Sequence, residues 1–195
     1  MEISSTIFED NYALNGGALY ISGPLNDNNN KQIDIEIFNS QFLSNKALYY
    51  GGAIYLNSNN YDLSKIKNLN FMKNSAYAGG SIFFNSNSFT LFEMKKNEVK
   101  FINNTSESHG NNIATKPYMV HLITSISEEI SIKSGIIYPL LFELDDQFDQ
   151  IIVDESKYYS NINIHIININ NDIDDDIMIK GNSCIFHKGN IEKII

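Results

Sequence analysis

The densest run of oxygen ligands in the chain is Asn170-Asn171-Asp172-Ile173-Asp174-Asp175-Asp176. Calcium takes roughly six to eight oxygen ligands, often from one flexible loop. If the chain holds a cation, Asp172, Asp174, Asp175 and Asp176 are the residues expected to hold it, and calcium is the ion expected. The run lacks the central Gly and closing Glu of an EF-hand, and the same composition also makes a solvated hairpin loop. Asp145, Asp146 and Asp149 would contribute only where the two loops meet. No other cofactor is expected.

His109 stands beside Gly110 and has the chemistry of an acid–base group, yet a single His in a polar turn is expected at the surface. His121, His165 and His187 are far apart and share no metal spacing. The acids Asp10, Asp27, Asp34, Glu36, Asp62, Glu93, Glu98 and Glu107 are scattered. A sugar-cleaving pair needs its carboxyl groups about 5–10 Å apart on one face. Asp34 and Glu36 do share a strand face, but they alternate with Ile33, Ile35 and Ile37, the pattern of a solvated outer surface. These features predict a chain that is not an enzyme. Asn103-Asn104-Thr105-Ser106 contains two overlapping glycan acceptor triplets, at Asn103 and Asn104. Tyr20, Tyr49, Tyr50, Tyr55, Tyr77 and Phe83 form an aromatic set that would either stack on sugar rings or pack as core; packing is the expectation.

The elements that must position these groups come from a repeated phrase. Phe8-x-x-Asn11 leads to Gly16-Gly17-Ala18-Leu19, and Phe42-x-x-Asn45 leads to Gly51-Gly52-Ala53-Ile54. Phe71-x-x-Asn74 leads to Gly79-Gly80-Ser81-Ile82, and Phe101-x-x-Asn104 leads to a worn copy, Gly110-Asn111-Asn112-Ile113. The Phe residues lie 34, 29 and 30 residues apart, a period that belongs to stacked repeats. A repeat this short cannot bury its own apolar face, so it must stack on its neighbours. Alternating stretches such as Ile33 to Phe38 read as half-buried strands. Asn suits a left-handed corner, and a Gly pair permits a bend where a Cβ would clash. The spacing predicts three short strands per coil, an inward column of Phe and a second column of Asn bonding rung to rung.

After Lys116-Pro117 the phrase stops. Met119 to Ile126, Ile130 to Ile132, Ile137 to Leu144, Ile151 to Val153, Ile162 to Ile169 and Ile177 to Ile179 read as β-branched strands separated by turn signals. That spacing suggests an antiparallel sandwich-like domain.

The chain has 195 residues, a net charge of −9 and a charged fraction of 19%. An acidic chain without basic clusters is a poor nucleic-acid binder. Its one cysteine, Cys184, cannot form an internal disulfide or a thiolate zinc site. No apolar run reaches the ~18 residues a membrane span needs, and Met1 to Ser5 shows no basic stretch followed by an apolar core, so no signal peptide is visible in this sequence. A solenoid that begins inside a repeat leaves strand edges open. The expectation is a piece of a longer protein, or end-to-end association through the uncapped first coil.

The pairing of Phe-x-x-Asn with Gly-Gly-Ala-Ile or Gly-Gly-Ala-Leu resembles the polymorphic outer membrane protein repeat. That resemblance covers residues 1 to 115 and implies a right-handed parallel β-helix of the pectin-lyase-like class. It also implies a cell-surface or secreted location and a role in adhesion or display. Ile132 to Gly135 and Pro139 to Phe148 look like the entry strands of the β-sandwich that follows such repeats in large surface proteins.

The expected fold is all-β: a right-handed parallel β-helix over residues 1–117, then an incomplete β-sandwich-like segment over 118–195. The expected function is a non-catalytic adhesion or display module of a larger extracellular protein, with a surface protein or glycan as partner. The alternatives are a carbohydrate-active pectin-lyase-like enzyme, which would need an acid cluster with a basic partner, and a truncated remnant without independent function.

Overall fold

The computed structural model describes residues 1–23, 33–57, 61–85, 98–125, 139–155, 158–159, 163–165, 183–185 and 190–194. Among these, regular structure is β alone. Two compact units emerge: Met1–Tyr118 with Asp146–Gln150, and Met119–Asp145 with Ile151–Ile195.

The first unit is a stack of four coils. Coil one holds β1 (Glu2–Ser4), β2 (Ile7–Glu9), β3 (Tyr12–Asn15) and β4 (Leu19–Ser22). Coil two holds β5 (Ile33–Leu43), β6 (Lys46–Tyr50) and β7 (Ile54–Asn57). Coil three holds β8 (Tyr61–Met72), β9 (Ser75–Ala76) and β10 (Ile82–Phe84), and coil four holds β11 (Val99–Ile102), β12 (Thr105–Ser106) and β13 (Ile113–Thr115). Equivalent strands pair in parallel from coil to coil and build three sheets, β1/β2–β5–β8–β11, β3–β6–β9–β12 and β4–β7–β10–β13. This is the architecture of a β-solenoid.

Corners recur in three columns, each marked by left-handed backbone. Ser5, Asn39 and Asn68 form the first, with φ between 49° and 51°. The second is Asp10, Ser44, Lys73 and Asn103, and the third is Gly16, Gly51, Gly79 and Gly110. The second column corrects the sequence expectation. The left-handed residue is the one before the repeat Asn, because the Asn itself is engaged in a ladder that its side chain must reach.

That ladder spans three coils at each step. Asn45 Nδ2 donates backward to the carbonyl of Phe8 (3.0 Å) and forward to Asn74 Oδ1 (3.0 Å). Asn74 repeats the pattern with Phe42 and Asn104. The backbone N–H of each Asn also donates to the next coil's Oδ1, from Asn11 to Asn45, Asn45 to Asn74 and Asn74 to Asn104. Asn45 and Asn74 are fully buried, and a buried amide is tolerable only when its donors and acceptor are used.

Beside the ladder, Phe8, Phe42, Phe71 and Phe101 are in register. Neighbouring rings stack with centroids 4.9, 4.8 and 5.2 Å apart. Ile35, Ile37, Ile54, Leu56, Leu69, Ile82 and Phe84 complete this core.

The two glycines of each phrase do different work. A Cβ on Gly51 would lie 2.2 Å from the carbonyl oxygen of Ile54, in its own turn. A Cβ on Gly17, Gly52 or Gly80 would lie 2.1–2.3 Å from a carbonyl oxygen of the next coil: that of Gly52, Gly80 or Asn111 respectively. The first glycine makes the turn and the second lets the coils approach. Coil four keeps the first (Gly110, φ 65°) and replaces the second by Asn111. Among the described residues no fifth coil stacks there, so a side chain fits, and Asn111 Oδ1 accepts from the N–H and hydroxyl of Ser106 (2.9 and 3.1 Å).

In place of a fifth coil, the turn 146–150 covers the end of β13. Asp146 is buried and accepts four bonds. Its Oδ1 receives the N–H groups of Phe148 and Gln150, and its Oδ2 receives the N–H of Thr115 (3.0 Å) and the Gln150 side chain (2.9 Å). Gln150 Nε2 also donates to the Ile113 carbonyl. The strand-edge groups of β13 are thus satisfied from outside the repeats, as a solenoid end requires.

In the second unit, β14 (Met119–Leu122) pairs antiparallel with β15 (Pro139–Asp145), which pairs antiparallel with β18 (Asn190–Ile194). A separate antiparallel pair joins β16 (Asn163–His165) to β17 (Ser183–Ile185). The expected strands at Ile130–Ile132 and Ile177–Ile179 lie outside the described residues.

Candidate binding face

Strand alternation divides the third sheet into two faces. Ile21, Ile54, Leu56, Ile82 and Phe84 enter the core. Tyr20, Tyr55 and Phe83 occupy the alternate positions, in register across β4, β7 and β10. Tyr20 stacks on Tyr55 (centroids 5.1 Å apart), and Tyr55 lies parallel to Phe83 at 5.8 Å. From the neighbouring corner, Tyr50 packs on Phe83 at 4.5 Å and meets Tyr77 edge-on at 6.5 Å.

The row is graded in exposure. Phe83, Tyr77 and Tyr55 are buried, Tyr49 and Tyr50 are half-buried, and Tyr20 is 53% exposed. The expected core packing therefore describes the inner members, whereas Tyr20 presents its ring to solvent. Amides border the row: Asn57 Nδ2 donates to the Tyr20 hydroxyl (3.0 Å), and Asn85 Nδ2 donates to Asn57 Oδ1 (2.8 Å). Burial pushes the Tyr55 phenol up to about 12, with Tyr20 and Tyr50 adding to the rise and a hydrogen bond with Asn85 opposing it. Tyr20, the half-buried Tyr50, Asn57 and Asn85 thus form an aromatic and amide surface backed by the buried Tyr55. Flat rings with a fringe of amides suit stacking and hydrogen bonding to a neutral polar ligand.

Coil one carries a second apolar feature that spacing alone did not reveal. Ile7, Tyr12 and Leu14 are each about 60% exposed. In the same columns the later coils carry Gln41, Asn70 and Lys100 for Ile7, and Lys46, Ser75 and Thr105 for Tyr12. Comparing columns rather than neighbours was the signal that would have found it.

His109 departs from expectation. It is buried, with Nε2 2.9 Å from the Thr115 carbonyl and Nδ1 2.9 Å from the Ser108 hydroxyl. Gly110, the next residue, holds the left-handed corner (φ 65°). Asp34 is exposed and Glu36 half-exposed, on the face opposite Ile35 and Ile37. Asp146 is taken up by its four donors. Asp145 Oδ2 lies 3.1 Å from His121 Nε2. Asp172, Asp174, Asp175 and Asp176 lie outside the described residues. Among the described residues, no group of three His, Cys, Asp or Glu side chains is placed to hold a metal ion. Among the same residues, no helix is long and apolar enough to cross a membrane.

A family model, the Chlamydia polymorphic membrane protein (Chlamydia_PMP) repeat, matches residues 5–22 and 39–57. These stretches run from the Phe strand through the Asn corner and Gly pair to the end of the third strand, in coils one and two. No curated protein and no solved structure matches the chain.

Proposed function

We propose that this chain is a surface-displayed, non-catalytic repeat region of a larger protein, serving adhesion. The observation that carries the reading is the coincidence of the family match with intact coils. In both matched stretches the Phe stack, the Asn ladder and the Gly turn are in place. The match supports a repeat of surface proteins, and the ladder supports a scaffold that holds outer side chains in fixed rows. We assign the coils to the right-handed, pectin-lyase-like class on the same resemblance, and the antiparallel strands after them to a sandwich-like module.

Adhesion would use the Tyr20 face, where a ring already stacked on Tyr55 is offered with Asn57 beside it. A rigid aromatic contact carries little ordering cost on binding. The test compares the purified chain with its Tyr20→Ala variant for binding to immobilised neutral glycans and to intact host-type cells. Alanine truncation of a central aromatic contact costs about 1–2 kcal/mol or more, a loss of roughly tenfold in affinity. Equal binding by both proteins would remove Tyr20 from the contact. Cleavage of a polysaccharide by the wild-type chain would favour the enzyme reading.

A further inference from the structure

We infer that Asn103 is the acceptor for an N-linked glycan, and that the overlapping acceptor Asn104 is closed by the fold. The inference rests on the surface reading above, since it requires the chain to enter a secretory pathway that performs N-glycosylation. Asn103-Asn104-Thr105 and Asn104-Thr105-Ser106 are the chain's two Asn-x-Ser/Thr triplets. As acceptor triplets they are equal, but the repeat spacing already sets Asn104 in the stacking column, where a glycan fits poorly, and the structure separates the two.

Asn104 is buried at the end of the ladder. Its Nδ2 donates to the Phe71 carbonyl (3.0 Å) and to Asn112 Oδ1 (3.3 Å). Its Oδ1 receives both the N–H and the Nδ2 of Asn74. A sugar on this nitrogen would remove one of its two N–H donors and would need space where coil three is packed. The hydroxyl that completes its triplet, on Ser106, is already bonded to Asn111.

Asn103 differs on each count. It sits at the left-handed corner (φ 52°), in the same column as Asp10, Ser44 and Lys73. The residue is exposed, and so is Thr105, whose hydroxyl completes its triplet. A corner side chain here can carry a large polar group without disturbing the ladder one residue on.

The transfer itself is ordinary chemistry. A bond forms between Asn103 Nδ2 and the anomeric carbon of an oligosaccharide carried on a lipid diphosphate. The bond from that carbon to the diphosphate oxygen breaks, the lipid diphosphate leaves, and the amide gives up one proton to solvent. Transfer onto an unfolded chain can reach either Asn. A chain modified at Asn104 cannot close its ladder, so the folded population carries the glycan at Asn103 alone.

The experiment is to secrete the whole chain from a eukaryotic host behind a supplied leader and to map the product by mass spectrometry after glycosidase treatment, which converts a glycosylated Asn to Asp. The expected result is conversion at Asn103 and none at Asn104. Ser106→Ala, which leaves the Asn103 triplet, is expected to keep the glycan. Thr105→Ala leaves the Asn104 triplet alone, and its secreted, folded product is expected to carry no glycan. Secreted wild-type protein with sugar at Asn104, or with no sugar, would overturn the inference. Because the leader is supplied, a native protein found inside cells would count against the surface reading while leaving this result standing.

Discussion

Individual side chains in the solenoid are held by contacts that repeat, so removing one breaks contacts on two sides. Phe42 is stacked between Phe8 and Phe71 and is fully buried. Phe42→Ala is expected to cost about 3–5 kcal/mol, measured as a drop in Tm or in the denaturant midpoint. Asn74→Ala should be comparable, although the side chain is polar. It would leave the Asn45 N–H without its acceptor and take the Nδ2 donor from the Phe42 carbonyl and from Asn104 Oδ1, which keeps the backbone N–H of residue 74. Each buried unsatisfied group costs roughly 1–3 kcal/mol. An unchanged midpoint in either variant would place that residue outside the core. Tyr55 gives the pH arm. Folding keeps its phenol protonated up to about 12, against 10 for an ordinary tyrosine. Between those values the unfolded chain loses the proton while the folded chain keeps it. The stabilisation is therefore whole below pH 10 and is lost as pH rises towards 12. Ultraviolet titration should show one tyrosine ionising late, and Tyr55→Phe should remove that phase.

Among the elements, the Gly pair separates a turn requirement from a stacking requirement. Gly52→Ala puts a Cβ 2.1 Å from the Gly80 carbonyl oxygen, and backbone on backbone has nowhere to shift. The expected loss is at least the ~1–3 kcal/mol usual for overpacking. Asn111→Ala occupies the equivalent place in the last coil and should cost no more than its hydrogen bonds to Ser106, about 1 kcal/mol. Thermal melts of the two variants that gave equal losses would contradict the account of why coil four departs from the phrase. This contrast also marks what could be read in advance. The Phe and Asn spacing and the Gly pair announce parallel stacking, because each repeats at the coil period. The left-handed site one residue before the Asn was not readable, since Asp10, Ser44, Lys73 and Asn103 share no chemistry, only a backbone position. The burial of His109 was equally hidden, going with its bond to the carbonyl of Thr115 rather than with local polarity. The Asp146 turn looked like a loop between strands, and its use as a cap depends on a partner 31 residues away.

For the molecule as a whole, the described residues form a four-coil solenoid whose last coil is closed by its own chain. Its acids are scattered, its core is apolar with one buried amide ladder, and its outer rows are uncharged at Tyr20, Tyr50 and Asn57. On the proposed function, these outer rows are the surface that the stacked coils display. The resemblance of coils one and two to a membrane-protein repeat gives that surface a location to be tested. The most direct measurement is protease accessibility of the native protein on intact cells, followed with an antibody raised against the solenoid. The account predicts that externally added protease removes the antibody signal while cytoplasmic markers stay intact. A signal that survives until the cells are lysed would contradict it.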